Sequence, residues 1–131
     1  MKTLIMSFLL VVGINIHSFS QDVFNQWPKL NAFHEIMSET FHASETGNLK
    51  PLKQKSGALV KTANELKKSK IPLAYNSPQI RNSINKLNIE ITELNQLVKN
   101  KAADEKLIKK ISELHNVFHE VVGLCKGKPQ K

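Results

Sequence analysis

"SPQIRNSINKLNIEITELNQLV" (residues 77–98) sets the fold class. Ile80, Ile84, Leu87, Ile91, Leu94 and Val98 recur every three or four residues, a seam that only a helix presents on one face. Ser77 before Pro78 is the preferred opening: a hydroxyl to cap the first amides, then a residue that needs no donor. Nothing in the chain alternates with period two over a useful length, so strands are not expected.

Working outward, three further helices carry the same signature. "WPKL" opens one at Pro28, with Leu30, Phe33, Met37, Thr40 and Phe41 on its inner face and Gly47 of "TGN" as its C-terminal cap. Asn48 can cap the next, which runs to about Ser69 with Leu52, Leu59, Ala63 and Leu66 aligned. "SKIPLAYNSPQ" interrupts the pattern with two prolines. After "KNKAADE", acidic residues enter the first turn of a last helix, as the helix dipole favours. Leu107, Ile111, Leu114, Phe118 and Val121 form its stripe, and it ends near "GLCKGK". Four helices joined by short connections predict an all-α fold, an antiparallel up-down-up-down four-helix bundle.

The segment before the bundle has another character. "MKTLIMSFLLVVGINIHSFS" has a lysine at position 2, an apolar run from Leu4 to Ile16, and small residues at Ser18 and Ser20. That three-part layout predicts a secretory signal over residues 1–20, with cleavage before Gln21. The apolar run is shorter than the ~20 residues of a spanning helix, which argues against a membrane anchor. The chain is then expected in the periplasm or outside the cell, with no membrane contact once the signal is removed. Residues 21–131 would form one domain, large enough for a modest core. Cys125 is the only cysteine, so no disulfide within the chain supports it.

Net charge is +8, and the leader would remove only Lys2 of the basic residues. A nucleic-acid partner is not expected. Arg81 is the only arginine, and arginine is the residue that reads bases and phosphates bidentately. Aromatic residues are not interleaved with the basic stretches, as a stacking surface requires. The lysines of "LKPLKQKSGALVKTANELKKSK" read as the solvated face of a helix.

The histidines are distributed unevenly. Apart from His17 in the leader, all lie in "FHEIMSETFH" (33–42) and "LHNVFHE" (114–120), on the first and last helices of the bundle. His115 and His119 are four apart and share one helix face about 6 Å from each other. If the first and last helices lie antiparallel with Pro28 beside Leu124, His34 comes level with that pair. His42 lies roughly 12 Å further along the axis at ~1.5 Å per residue, and is expected to miss the same ion. Neutral imidazole is the commonest metal ligand near neutral pH, and an i, i+4 pair chelates from one helix. The expected metal ligands are therefore His115, His119 and His34, with His42 accessory, on a zinc or copper ion. Glu35, Glu39, Glu45 and Glu120 are available as ligands or as acceptors that orient the rings. Met37 and Cys125 are the soft donors within reach.

Catalytic patterns are weak. A zinc protease needs glutamate after the first histidine of an i, i+4 pair, and Asn116 stands there. One Glu-x-x-His motif occurs, Glu39 to His42, but the last helix has Asn116 where a di-iron bundle needs a second glutamate. No enzyme activity is expected. Met37 with His115 or His119 resembles the ligand set of the soluble b-type four-helix-bundle cytochromes, which implies non-covalent haem as an alternative cofactor. "WPKLNAFHEIMSETFHASETGNLKPLKQKS" with "LHNVFHEVVGLCKGK" is also similar to a group of small exported bacterial proteins with a signal peptide, a four-helix bundle and histidines in the terminal helices. That resemblance implies metal binding: sequestration, delivery or sensing, which a protein partner in metal handling would fit. A structural interaction module without a cofactor is the remaining expectation.

Overall fold

The computed structural model of the chain describes residues 18–126, with side chains from Asp22 onward. Residues 1–17, most of the expected leader, and residues 127–131 lie outside the described residues. The described chain is helical: α1 (Ser18–Gln26), α2 (Pro28–Glu45), α3 (Lys50–Lys68), α4 (Pro78–Lys99) and α5 (Asp104–Lys126), with a 3-10 turn at Leu73–Tyr75. No strand occurs among the described residues.

The boundaries follow the local chemistry. Pro28 occupies the first position of α2. The helix ends where Gly47 turns left-handed (φ 79°), its amide donating to Ser44 O at 3.0 Å while the Asn48 amide donates to Ala43 O. Asn48 Oδ1 accepts from the Lys50 amide at 3.2 Å, so its side chain does help to open α3. Ser77 Oγ accepts from the Ile80 amide at 3.2 Å and caps α4 as expected. Asp104 and Glu105 occupy the first turn of α5.

Helices α2 to α5 pack together around one core. Leu30, Phe33, Met37, Leu52, Leu59, Leu66, Ile80, Leu87, Ile91, Leu94, Ile111 and Leu114 are buried in it. Burying each such side chain contributes about 1.5–3 kcal/mol relative to leaving it in water. Two expected core residues, Phe41 and Val98, are only half-buried at its edge.

Polar pairs join the seams. Lys29 reaches Glu65 and Lys55 reaches Glu39 between α2 and α3. Ser56 donates to Asn95 at 2.9 Å, and Asn88 to Asn64 at 2.7 Å, between α3 and α4. Ser83 donates to Glu120, and Lys110 to Glu93, between α4 and α5. Of the four seams between neighbouring helices in α2 to α5, the α2/α5 seam is the loosest, and α1 packs against both of its helices.

Helix α1 is absent from the sequence-based expectation of four helices. The Ser20–Gln21 bond, the expected cleavage point, lies within it. Its far end is held firmly. Val23 and Trp27 are buried, Trp27 Nε1 donates to Ser69 Oγ at 3.3 Å, and the indole stacks on Tyr75, whose hydroxyl donates to Gln26.

Candidate metal centre

The wider α2/α5 seam is filled by rings. Phe33 lies 5.7 Å from Phe118 (ring centroids), which also stacks on His34 at 5.4 Å. His34 stacks in turn on Phe24 of α1 at 4.4 Å, their planes 11° apart. One step along α2, Phe41 stacks on His115 at 3.7 Å and 10°. Phenylalanines thus hold His34 and His115 from the core side, as spacings of three and four on α2 and α5 dictate. Stacked ring pairs of this kind contribute about 0.5–1.5 kcal/mol beyond the area they bury.

His115 and His119 turn their Nε2 atoms toward each other at 3.1 Å, with ring planes at 89°. An ion with metal–nitrogen bonds of ~2.0–2.1 Å would subtend roughly 100° across that gap, close to the tetrahedral and square angles that zinc and copper adopt. Without a metal, one imidazole N–H can donate to its neighbour's lone pair across the same distance.

His42 departs from the expectation. The register arithmetic separated it from the pair, yet its ring lies 6.4 Å from that of His115, edge toward face. Its Nδ1 is 2.9 Å from Glu45 Oε2. A carboxylate on Nδ1 fixes the tautomer that leaves Nε2 as a bare acceptor, the second-layer arrangement seen around metal-binding histidines. His34, expected level with the pair, is the more enclosed residue.

Electrostatics links all four imidazoles. Burial lowers the pKa of His34, and the nearby His119 lowers it further; Glu35 opposes this, and His42 adds the smallest lowering effect. Burial likewise lowers His115, reinforced by His119, His42 and His34, with Glu45 opposing. Both shifts favour the neutral ring, the form in which imidazole donates to a metal.

The four candidate carboxylates separate cleanly. Glu45 bonds to His42, whereas Glu39 pairs with Lys55, Glu120 accepts from Ser83 and Glu35 accepts from Asn31. Met37 is fully buried in the aliphatic core. Cys125 is buried near the end of α5; burial raises the pKa of the Tyr75 hydroxyl, with smaller contributions from Asp22 and then Cys125. Among the described residues, no group of three or more His, Cys, Asp or Glu side chains is closed up to hold an ion. The arrangement is a pair of facing imidazole nitrogens on α5 with a third imidazole, that of His42, 6.4 Å from His115 between ring centroids.

Phe24 is the site residue that the sequence reading overlooked. Its signal was present: Val23, Trp27 and Leu30 continue the three-four spacing of α2 backwards past Pro28. No helix among the described residues is long and apolar enough to cross a membrane. No protein family, curated protein or solved structure matches this chain.

Proposed function

We propose that the protein is an exported, non-catalytic transition-metal-binding bundle that sequesters, delivers or senses zinc or copper. His115 and His119 are the first ligands, His42 is the third through Nε2 with Glu45 as its orienting carboxylate, and His34 is the accessory ligand. The observation that carries this reading is the 3.1 Å approach of two Nε2 atoms beside a third imidazole.

Several features support the rest. An up-down-up-down antiparallel order agrees with the cross-helix pairs, in which a rising number on one helix meets a falling number on the next: 29 with 65 and 39 with 55, 56 with 95 and 64 with 88, 83 with 120 and 93 with 110. Export rests on the charged, apolar and small-residue layout of residues 1–20. Asn116 in the position of a general base supports a binding role. Burial of Met37 in the core supports an imidazole-held ion over axial ligation of haem.

The test is a zinc and copper titration of the protein, with bound metal measured by mass spectrometry. One equivalent should bind, and the His115→Ala, His119→Ala double variant should lose at least ~100-fold in affinity, with the metal-induced rise in melting temperature abolished. Binding no tighter than ~10 μM, or a double variant that binds like the parent, would sink the proposal; a Soret band would replace it with haem.

A further inference from the structure

Away from the histidines, the chain between α3 and α4 encloses a cleft of about 410 Å³. That volume lies within the ~300–1,000 Å³ of small-molecule sites. Its cationic lining is Lys67, Lys70 and Arg81, and no carboxylate lines it. Elsewhere the lysines that bridge helices are neutralised: Lys29, Lys53, Lys55 and Lys110 each pair with a carboxylate. Among the described residues, none of Lys67, Lys70 and Arg81 does so. Three like charges around one concavity repel each other, and an anion relieves that repulsion.

The cleft is preformed. Arg81 donates through Nε and Nη2 to Asn76 Oδ1 at 3.1 and 2.6 Å, so a neutral amide fixes the guanidinium without cancelling its charge. Its remaining N–H groups keep the planar fork that suits phosphate or carboxylate oxygens. Trp27 on Ser69 and Tyr75 on Gln26 fasten the connecting chain to the end of α1. The rest of the lining is partly apolar: Ile84 is buried beneath, Ile71 is half-buried, and Leu73 is 83% exposed at the edge. An exposed leucine beside uncompensated cations matches a ligand that is charged at one end and apolar at the other.

We propose that this cleft binds a small soluble amphiphilic anion: a phosphate or carboxylate held by Lys67, Lys70 and Arg81, on an aliphatic body lying along Ile71, Leu73 and Ile84. The site is separate from the imidazole cluster and does not depend on it.

Trp27 is the only tryptophan and bonds to Ser69 of the cleft wall, so its emission reports on occupancy. The metal-free protein would be titrated with monomeric octyl phosphate, with inorganic phosphate, and with phosphatidylglycerol vesicles, using tryptophan fluorescence and calorimetry. Saturable one-to-one binding of octyl phosphate is expected at roughly 0.1–1 mM, reasonable for a ligand of that size. Inorganic phosphate should bind at least ~10-fold more weakly, because it offers the apolar lining nothing. The Lys70→Gln, Arg81→Gln double variant should lose at least ~10-fold in affinity. Both side chains are exposed, so its melting temperature should match the parent's; Lys67→Gln provides an independent variant should it not. The His115→Ala, His119→Ala variant should bind octyl phosphate unchanged. Absence of saturation, charge variants that bind like the parent, equal affinity for inorganic phosphate, or binding to vesicles alone would each overturn the site.

Discussion

The α3/α4 seam and the α2/α5 seam use the same helical spacing to different ends. Between α3 and α4, Leu52, Leu59, Ala63, Leu66, Ile84, Leu87, Ile91 and Leu94 are buried aliphatic side chains, and the helices approach closely. One internal polar contact, Ser56 to Asn95, interrupts them. Between α2 and α5 the helices stand further apart, and Phe24, Phe33, Phe41 and Phe118 fill the space with imidazoles stacked on them. Aliphatic side chains fit a narrow seam and offer no chemistry. Flat rings fill a wide one, and a phenylalanine platform can carry a histidine with its nitrogens turned outward. One half of the bundle thus packs on aliphatic side chains while the other holds the imidazoles in place on phenylalanine rings.

The largest expected effect tests whether rings really hold the second seam. Phe118→Ala removes the partner of Phe33 and His34 and should cost about 3–5 kcal/mol in a denaturant melt. It should also loosen metal binding, whereas Leu87→Ala on the aliphatic side should cost about 2–5 kcal/mol and leave metal affinity alone. Equal effects of the two on metal binding would erase the distinction between the seams. Next comes the polar contact in the aliphatic seam. Asn95→Ala leaves the Ser56 hydroxyl buried without its acceptor and should cost about 1–3 kcal/mol. A cost near zero would show that water reaches the seam.

A smaller effect sharpens the role of Glu45. Glu45→Gln keeps the side chain's shape but removes the carboxylate that fixes the His42 tautomer, and should weaken metal binding by about 10-fold. The exposed His42–Glu45 pair contributes little to folding, so the variant should melt within about 1 kcal/mol of the parent. An unchanged affinity would remove His42 from the ligand set.

The helices α2 to α5 were legible because their ends carry distinctive chemistry: Pro28, Gly47, Ser77 before Pro78, and Asp104. Helix α1 was not, because it is short and starts inside a stretch that reads as a leader. The histidine pair was legible from its spacing of four. The place of His42 was not, because counting Cα heights ignores the direction in which side chains lean. Every helical side chain tilts toward its own N-terminus. On two antiparallel helices those tilts are opposed, so a ring late in α2 and a ring on α5 close an axial gap that the backbone leaves open. Arg81 was read as the lone arginine against nucleic acid. Only the fold showed that it faces two lysines across a cleft.

The smallest effect is one that only the ring-filled seam should produce. His34 and His115 take up protons less readily in the folded chain than in the unfolded one, where 6.5 is the ordinary value. The unfolded state therefore binds more protons as pH falls through about 6.5, and stability falls with it until the folded histidines also protonate. Above that window this contribution is fully present. The metal-free protein should lose melting temperature between about pH 7 and pH 5, and the decline should be modest because both rings are partly exposed to water. His34→Phe suits the Phe24 and Phe118 stack, and with His115→Phe should flatten the profile over that range. The aliphatic seam between α3 and α4 has no histidine. A double variant that kept the full slope would move the titrating groups out of the ring-filled seam.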